Sequence, residues 1–240
     1  MKFTIITAIK NTTEEIINTI TSLENQSYKD FEWLICNGGN SSEILSLIES
    51  SKIQNKRVVS SIDNGISDAW NKGVRFSNGD YVGFLNSGDT YRPEFLSRLA
   101  ELSDLSVICA HADIVRKDGT FVKLFRAEPH RIRYGMYIPH NWMFVSRTLF
   151  DKVGDFSSLE VSMDYEWTLR LFKFIQISDV GVIDATMGNY KIGGISDLNY
   201  IKSFYTNKII MDDAKYNRLI NYLLFLTSVT KHFVRMRVLK

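Results

Sequence analysis

Short apolar runs alternate along the chain with stretches in which apolar residues recur every three or four positions. Phe3-Thr4-Ile5-Ile6-Thr7-Ala8 is rich in β-branched residues and predicts a strand. Asn11-Thr12-Thr13-Glu14-Glu15 then offers a cap for a helix carrying Ile16, Ile17 and Ile20. Phe31-Glu32-Trp33-Leu34-Ile35-Cys36 predicts a second strand, and the polar loop Asn37-Gly38-Gly39-Asn40-Ser41-Ser42 leads into the helical spacing Ile44, Leu45, Ile48. Arg57 to Ser61 gives a third strand. Tyr81-Val82-Gly83-Phe84-Leu85, after the turn signal Asn78-Gly79-Asp80, gives a fourth. Further strands are expected at Val107 to Ile114 and Phe121 to Phe125, and Pro93 sits in the first turn of a helix. Strands separated by helical patterns read as parallel βαβ units, which gather the loops leaving the strands at one edge.

At the end of the fourth run polarity switches abruptly to Asn86-Ser87-Gly88-Asp89. In an α/β sheet that is the edge where ligands bind. An acid among small residues suits a hard divalent cation bridging a diphosphate. The same four residue types also make ordinary turns. Later in the chain, His140 and Asn141 follow Pro139 and lead into the apolar run Trp142-Met143-Phe144-Val145. Asp164, in Ser162-Met163-Asp164-Tyr165-Glu166-Trp167, is placed to cap a helix continued by Leu169, Leu171 and Phe172.

Several spaced segments together resemble the glycosyltransferase family 2 enzymes of bacterial surface-polysaccharide synthesis: YKDFEWLICNGG, DNGISDAWNKG, GDYVGFLNSGDTY, PHNWMFVSRTLFDKVGDF and MDYEWTLRLF. The resemblance covers roughly residues 1 to 197. It implies an α/β fold of the GT-A type: a Rossmann-like, mostly parallel central sheet flanked by helices, here with a helical C-terminal extension. It also implies transfer of a hexosyl or N-acetylhexosaminyl group from a nucleotide diphosphate donor, a UDP-sugar first among them, with inversion at the anomeric carbon. The acceptor expected is a glycan or a polyprenyl-diphosphate-linked glycan.

Carried onto matching positions, the resemblance puts Thr7, Ala8 and Asn11 against the nucleoside. Asn37 and Gly38 stand where relatives usually have an Asp that holds uracil; the Asn37 amide both donates and accepts. Asp63 and Asp68 match acidic positions, and Asp68, Trp70, Asn71 and Lys72 would begin a helix under the donor. Lys72 then serves either as the partner of Asp68 at i,i+4 or as a phosphate contact. Asn86, Ser87 and Gly88 belong to the donor loop. Asp89 alone keeps a carboxylate for the metal, expected to be Mn2+ or Mg2+, which often takes one or two protein carboxylates plus phosphate oxygens. Asp164 matches the general base. His140, Asn141 and Glu166 fall to the diphosphate or the acceptor. Gly193, Gly194 and Ser196 form a loop read as either a flap over the diphosphate or a turn. His111 and Asp113 are acceptor-side or structural.

Composition narrows the setting. The chain has 240 residues, 45% hydrophobic, with 29 basic against 27 acidic side chains, so one substantial core is available and nothing points to nucleic acid. Cys36 and Cys109 lie in apolar runs and read as buried thiols of a reducing compartment. Lys10 and Asn11 interrupt the first apolar run, so no signal peptide is expected and a cytoplasmic location is. The expected organisation is a GT-A domain over 1–205, with a nucleotide-sugar half (1–92) and an acceptor half (93–205), and a basic amphipathic helical segment over 206–240. That last segment, with Lys208, Lys215, Arg218, Lys231 and Arg235 among apolar residues, suits peripheral contact with an anionic membrane at its inner face, or packing on the domain or a second subunit in a homo-oligomer.

Two other classes compete with this reading. A dinucleotide-dependent oxidoreductase would share the strand order, but Lys10-Asn11-Thr12-Thr13 is not a G-x-G-x-x-G turn. A catalytically silent relative, serving as a binding or scaffold subunit, fits the loss of acids at Asn86 and Gly88 but not the retention of Asp89 and Asp164.

Overall fold

The structure is a computed structural model that describes residues 3–10, 13–39, 41–60, 62–194 and 199–238. The elements, in chain order, are β1 (Phe3–Ile9), α1 (Thr13–Glu24), β2 (Phe31–Asn37), α2 (Ser42–Ser50), β3 (Lys56–Ser60), α3 (Ile66–Phe76), β4 (Tyr81–Phe84), β5 (Thr90–Tyr91), α4 (Phe95–Ala100), β6 (Val107–Val115), β7 (Phe121–Phe125), β8 (Met143–Ser146), α5 (Arg147–Val153), α6 (Met163–Leu171), β9 (Val180–Lys191), α7 (Tyr200–Asp213) and α8 (Arg218–Val238). Among the described residues nine strands form one sheet in the order β3-β2-β1-β4-β8-β6-β9-β5, with β7 paired to β6. From β3 to β4 the pairing is parallel. Beyond β4 it is mixed: β8 runs antiparallel to both β4 and β6, while β9 runs parallel to β6.

β1, β2 and β4 are buried on both faces, so their sequences are mostly apolar. On β1, Phe3 and Ile5 enter one core layer and Ile6 the other; on β2, Trp33 and Ile35 oppose Leu34 in the same way. The layer around Ile6 holds Trp70 of α3, Phe84, Phe156 and Trp167 of α6. At the other end of the parallel strands, the carboxylate of Glu32, 3% exposed, accepts from Thr4 Oγ1 at 2.8 Å and from Asn78 N and Nδ2 at 3.0 and 2.9 Å, and pairs with Arg57 at 2.9 Å. Gly79 closes this corner. Its N–H donates to Thr4 Oγ1 at 2.8 Å, and any Cβ there would stand 2.5 Å from the Thr4 nitrogen.

Cys36 and Cys109 are free and buried, as their apolar runs predict, and burial pushes both thiols up to about 12. The helix expected to begin at Asp68 starts two residues earlier at Ile66, because Gly65, with φ +98°, makes the turn. The basic C-terminal segment is a helical hairpin. Lys215 turns the chain with φ +61°, Asn221 Nδ2 donates to Asp212 Oδ1 at 2.6 Å, and α7 buries Ile210 and Met211 against the layer that holds Trp167. Among the described residues no helix is long and apolar enough to cross a membrane.

Candidate active site

At the carboxyl edge of β1 and β4 lies a cavity of about 450 Å³. Ala8, Trp70, Asn86 and Ser87 form one side, and His140, Asn141, Asp164 and the Gly193-Gly194 pair form the other. Asp164 occupies the first turn of α6 but does not cap it. The cap position is Ser162, held left-handed at φ +63° and ψ +18°, a conformation that costs a non-glycine residue roughly 1–2 kcal/mol. Ser162 is buried, and its hydroxyl reaches the Ser203 carbonyl of α7 at 3.4 Å. Behind Asp164 the helix is locked by Trp167, which donates from Nε1 to the Gly154 carbonyl at 2.7 Å and stacks on Phe150 and Phe156 at 4.6 and 4.9 Å. The Asp164 carboxylate itself makes no hydrogen bond or ion pair among the described residues. A rigid helix therefore presents an uncommitted acid to the cavity.

His140 opens a 3-10 turn after Pro139, stacked on Phe84 at 5.0 Å and tilted against Trp70 at 4.9 Å. Both of its ring nitrogens are buried and unpartnered among the described residues, as are Ser87 Oγ and Trp70 Nε1. Each such group costs about 1–3 kcal/mol. With Trp142 Nε1 they make five such atoms on the residues lining one cavity, which marks a place where a polar ligand completes the bonding. Burial holds the His140 pKa below its ordinary value, while the negative charge of Asp164 opposes that shift, which places the two side chains within electrostatic reach.

Several residues read as binding groups are committed elsewhere. Asp89 is 4% exposed and outside the cavity wall: its Oδ1 accepts the Lys191 N–H at 2.8 Å, its Oδ2 accepts the Asn141 side-chain amide, and its carbonyl accepts Thr19 Oγ1 at 3.0 Å. Among the described residues no group of three or more His, Cys, Asp or Glu side chains comes together that could hold a metal ion. The donor set as placed does not fit a protein-held Mn2+ or Mg2+. Asn71 clamps the Phe156 backbone, donating to its carbonyl at 2.9 Å and accepting its N–H at 2.8 Å. Glu166 is taken by Arg170 at 2.7 Å, and Thr7 Oγ1 accepts from Trp33 Nε1 at 2.9 Å.

At the neighbouring exit of β2, Asn37 Oδ1 accepts the Gly39 N–H at 3.0 Å. A Cβ on Gly38 would come within 2.6 Å of Asp63 Oδ2, so the glycine leaves room for that carboxylate. Lys72 places its ammonium against Asp63 at 2.7 Å, Asp68 at 2.9 Å and the Ile62 carbonyl at 2.7 Å. Gly88, at φ +97°, packs its open side against Glu15 and Lys191. His111 is structural: Nδ1 accepts the Ala127 N–H at 3.1 Å and Nε2 faces Asp184 at 3.0 Å. Asn11 and Ser196 lie outside the described residues. Unforeseen members of the cavity wall are Glu15, Glu160 and Tyr190. The Lys191 N–H that holds Asp89 gave no sequence signal beyond its place two residues before the Gly193-Gly194 pair.

In a parallel-to-mixed α/β sheet, an acid and unpartnered polar groups at the open edge of the first strands stand where α/β proteins bind their ligands. Residues 4–168, more than two thirds of the chain, match the family described as Glycosyl transferase family 2, and the chain belongs to that family. It is a glycosyltransferase. A Mycobacterium tuberculosis "PGL/p-HBAD biosynthesis glycosyltransferase" is 26% identical over 181 residues, 71% of this chain and 69% of the relative. An Escherichia coli "Chondroitin synthase" is 26% identical over 171 residues, 67% of this chain but only 25% of that longer protein. The Staphylococcus aureus protein TarS, residues 1–349, superposes with a TM-score of 0.70 over 99% of this chain and 73% of its own length at 17% identity; its complex with UDP-GlcNAc gives 0.68 over 98% and 73%. At that identity the likeness establishes the GT-A fold alone.

Proposed function

We propose that the chain is an inverting glycosyltransferase that moves a sugar from a nucleotide diphosphate donor, a UDP-sugar, to a hydroxyl of a surface glycan or lipid-linked acceptor. The observation that carries this reading is the free carboxylate of Asp164 in one cavity with the unpartnered nitrogens of His140. Asp164 removes the acceptor proton as the acceptor oxygen bonds to the anomeric carbon, and the bond from that carbon to the diphosphate breaks on the opposite face. The new glycosidic bond therefore has inverted configuration, and the nucleotide departs with the bonding electron pair. Ser87 Oγ and Trp70 Nε1 donate to sugar or phosphate oxygens, while His140, neutral in its buried place, donates from one ring nitrogen and accepts at the other.

Residues 1–92 supply the donor side on this reading and 93–205 the acceptor side. Mn2+ or Mg2+ would arrive on the diphosphate, and Asp89 would join it only after releasing Asn141 or Lys191. The UDP-GlcNAc complex of TarS supports a UDP-sugar here, and the exposed apolar side chains of α7 and α8, Tyr205, Ile209, Leu219 and Leu223 among them, support peripheral contact with a membrane. The test is a panel of UDP-, GDP- and dTDP-sugars, each with and without chelator, followed by thermal shift and by release of nucleoside diphosphate. A UDP-sugar should stabilise the protein and be slowly hydrolysed. If no donor in the panel does either, the reading fails and a silent binding subunit takes its place.

A further inference from the structure

Three segments of the cavity rim meet at one buried carboxylate. Asp89 Oδ1 accepts the backbone N–H of Lys191 at 2.8 Å, two residues before the Gly193-Gly194 pair, and Oδ2 accepts the side-chain amide of Asn141, next to His140. Ser87, two residues before Asp89, lines the cavity. The donor loop, the His140 turn and the end of β9 are thereby joined through a single side chain.

Neighbouring bonds keep this junction from drifting. Thr19 of α1 is fully buried; its hydroxyl accepts the Gly88 N–H at 3.0 Å and donates to the Asp89 carbonyl at 3.0 Å, which pins the loop from behind. Tyr91 Oη donates to the Asn141 carbonyl at 2.8 Å, so residues 89 and 91 grip Asn141 by its side chain and its backbone. β9 lies so close to β5 that a Cβ on Gly188 would stand 1.9 Å from the Thr90 carbonyl oxygen. Asp89 is 4% exposed and Asn141 3%, which leaves water little access to replace the bond between them. Binding a cation through this carboxylate would take the acceptor from the Asn141 amide or the Lys191 N–H, and a buried donor left unsatisfied is costly. The groups that Asp89 fixes are next to those the fold leaves open, Ser87 Oγ and both nitrogens of His140.

We propose that Asp89 is a positioning residue and not a metal ligand: it keeps Asn141 and Lys191 through the reaction and so holds Ser87, His140 and the Gly193-Gly194 pair in register around the donor diphosphate. What occupies the cavity rests on the transfer reading above, whereas the tie itself does not. An amide can replace such a tie. At position 89 its oxygen would still accept from Lys191, and its NH2 would donate to Asn141 once that side chain turned its own oxygen inward. A metal ligand would lose its charge in the same change.

Hydrogen exchange of the full-length chain without ligand, read by mass spectrometry, tests the tie. Asp89→Ala should speed exchange in 140–146 and in 188–194 by roughly tenfold or more while β1 and β2 keep parental protection, and Asp89→Asn should leave both segments near the parent. Parental exchange of either segment in Asp89→Ala would overturn the proposal. If Asp89→Ala does not fold, Asn141→Asp, which sets two carboxylates face to face, should open both segments, and adding Asp89→Asn should close them; failure of that rescue overturns it equally. Titration calorimetry with UDP, in Mn2+ and in chelator, tests the metal. Asp89→Ala should weaken UDP by one factor, roughly tenfold, under both conditions, and Asp89→Asn should return it toward the parental value. The factor by which Mn2+ strengthens UDP should be the same in parent and variants, because that coupling belongs to the groups that touch the ion. Its loss in Asp89→Asn would make Asp89 a metal ligand. A parent that binds no UDP sinks the donor reading and leaves the exchange result to decide the tie, so the two failures are told apart.

Discussion

The two ends of the parallel strands treat buried polar groups in opposite ways. At the amino end Glu32, Thr4, Asn78 and Gly79 satisfy one another, and the guanidinium of Arg57 completes the set. At the carboxyl end Ser87, Trp70 and His140 are buried without partners and Asp164 is uncommitted. Closed polar networks hold a fold together, while open ones are costly and persist where a ligand closes them. The loop Asn86–Asp89 spans both regimes: Ser87 faces the cavity, and Asp89, two residues on, is locked to Asn141 and Lys191.

Removing the open acid should have the largest effect. Asp164→Asn keeps the shape and loses the proton acceptor, so transfer should fall by about 10²–10⁴-fold, as for loss of a general base. Nucleotide affinity and the unfolding midpoint should stay at parental values, because no hydrogen bond of the fold depends on that carboxylate. Steady-state transfer and nucleotide titration on the same preparation check this, and parental turnover would reassign the base.

The mirror-image change belongs to the closed end. Glu32→Ala leaves Thr4 Oγ1 and the Asn78 amide groups without an acceptor and Arg57 without its partner, which should cost about 3 kcal/mol. Arg57 is 43% exposed, so water replaces part of that loss, and the figure stays at the low end for a buried pair. Urea unfolding reads the change. Transfer per folded molecule should be unaltered, and a specific loss of activity would break the division between the two ends.

Much of this contrast was legible from residue types. β1, β2 and β4 are apolar because both faces are buried, and the polar residues that follow them had to collect at one edge. Asp164 was legible through its matching segment, while its local sequence alone favoured a capping role; the cap position is in fact Ser162, whose side chain makes no capping bond. What could not be read was which polar side chains are consumed by distant ones. Asp89 is spent by partners 52 and 102 residues away, and Asn71 by the Phe156 backbone 85 residues on. β9 escaped for a different reason. Its burial alternates from Gly181 to Asp184, but the pairing with β6 shifts register around His111 and both Met187 and Gly188 are buried, which breaks the alternation that would have marked one long strand.

His140 sharpens the comparison through pH. Burial holds its imidazole neutral and its folded pKa below the ordinary 6.5, with Asp164 pulling weakly the other way. The stability tied to neutrality is therefore present above pH 6.5 and is lost as pH falls through the depressed folded value. His140→Phe keeps a ring against Phe84 and Trp70 but cannot take up a proton, so its unfolding free energy should decline less on acidification from pH 7 to about 5. Urea midpoints across that range compare the two proteins, and parallel curves would show that His140 is solvated and free to titrate.

The smallest effect is expected at Lys72, and it tests whether the closed regime extends to the exit of β2. Its ammonium meets Asp63, Asp68 and the Ile62 carbonyl, so two carboxylates already surround it. Their hydrogen bonds raise its pKa, so the charge is retained throughout the working range, and water still reaches the 21%-exposed Lys72 side chain and screens the pair in part. Lys72→Met should therefore lower the unfolding midpoint slightly and leave nucleotide affinity at the parental value. The salt dependence distinguishes the alternatives. A phosphate contact would make nucleotide binding in the parent more sensitive to ionic strength than in the variant, whereas a structural pair makes the difference appear only in unfolding.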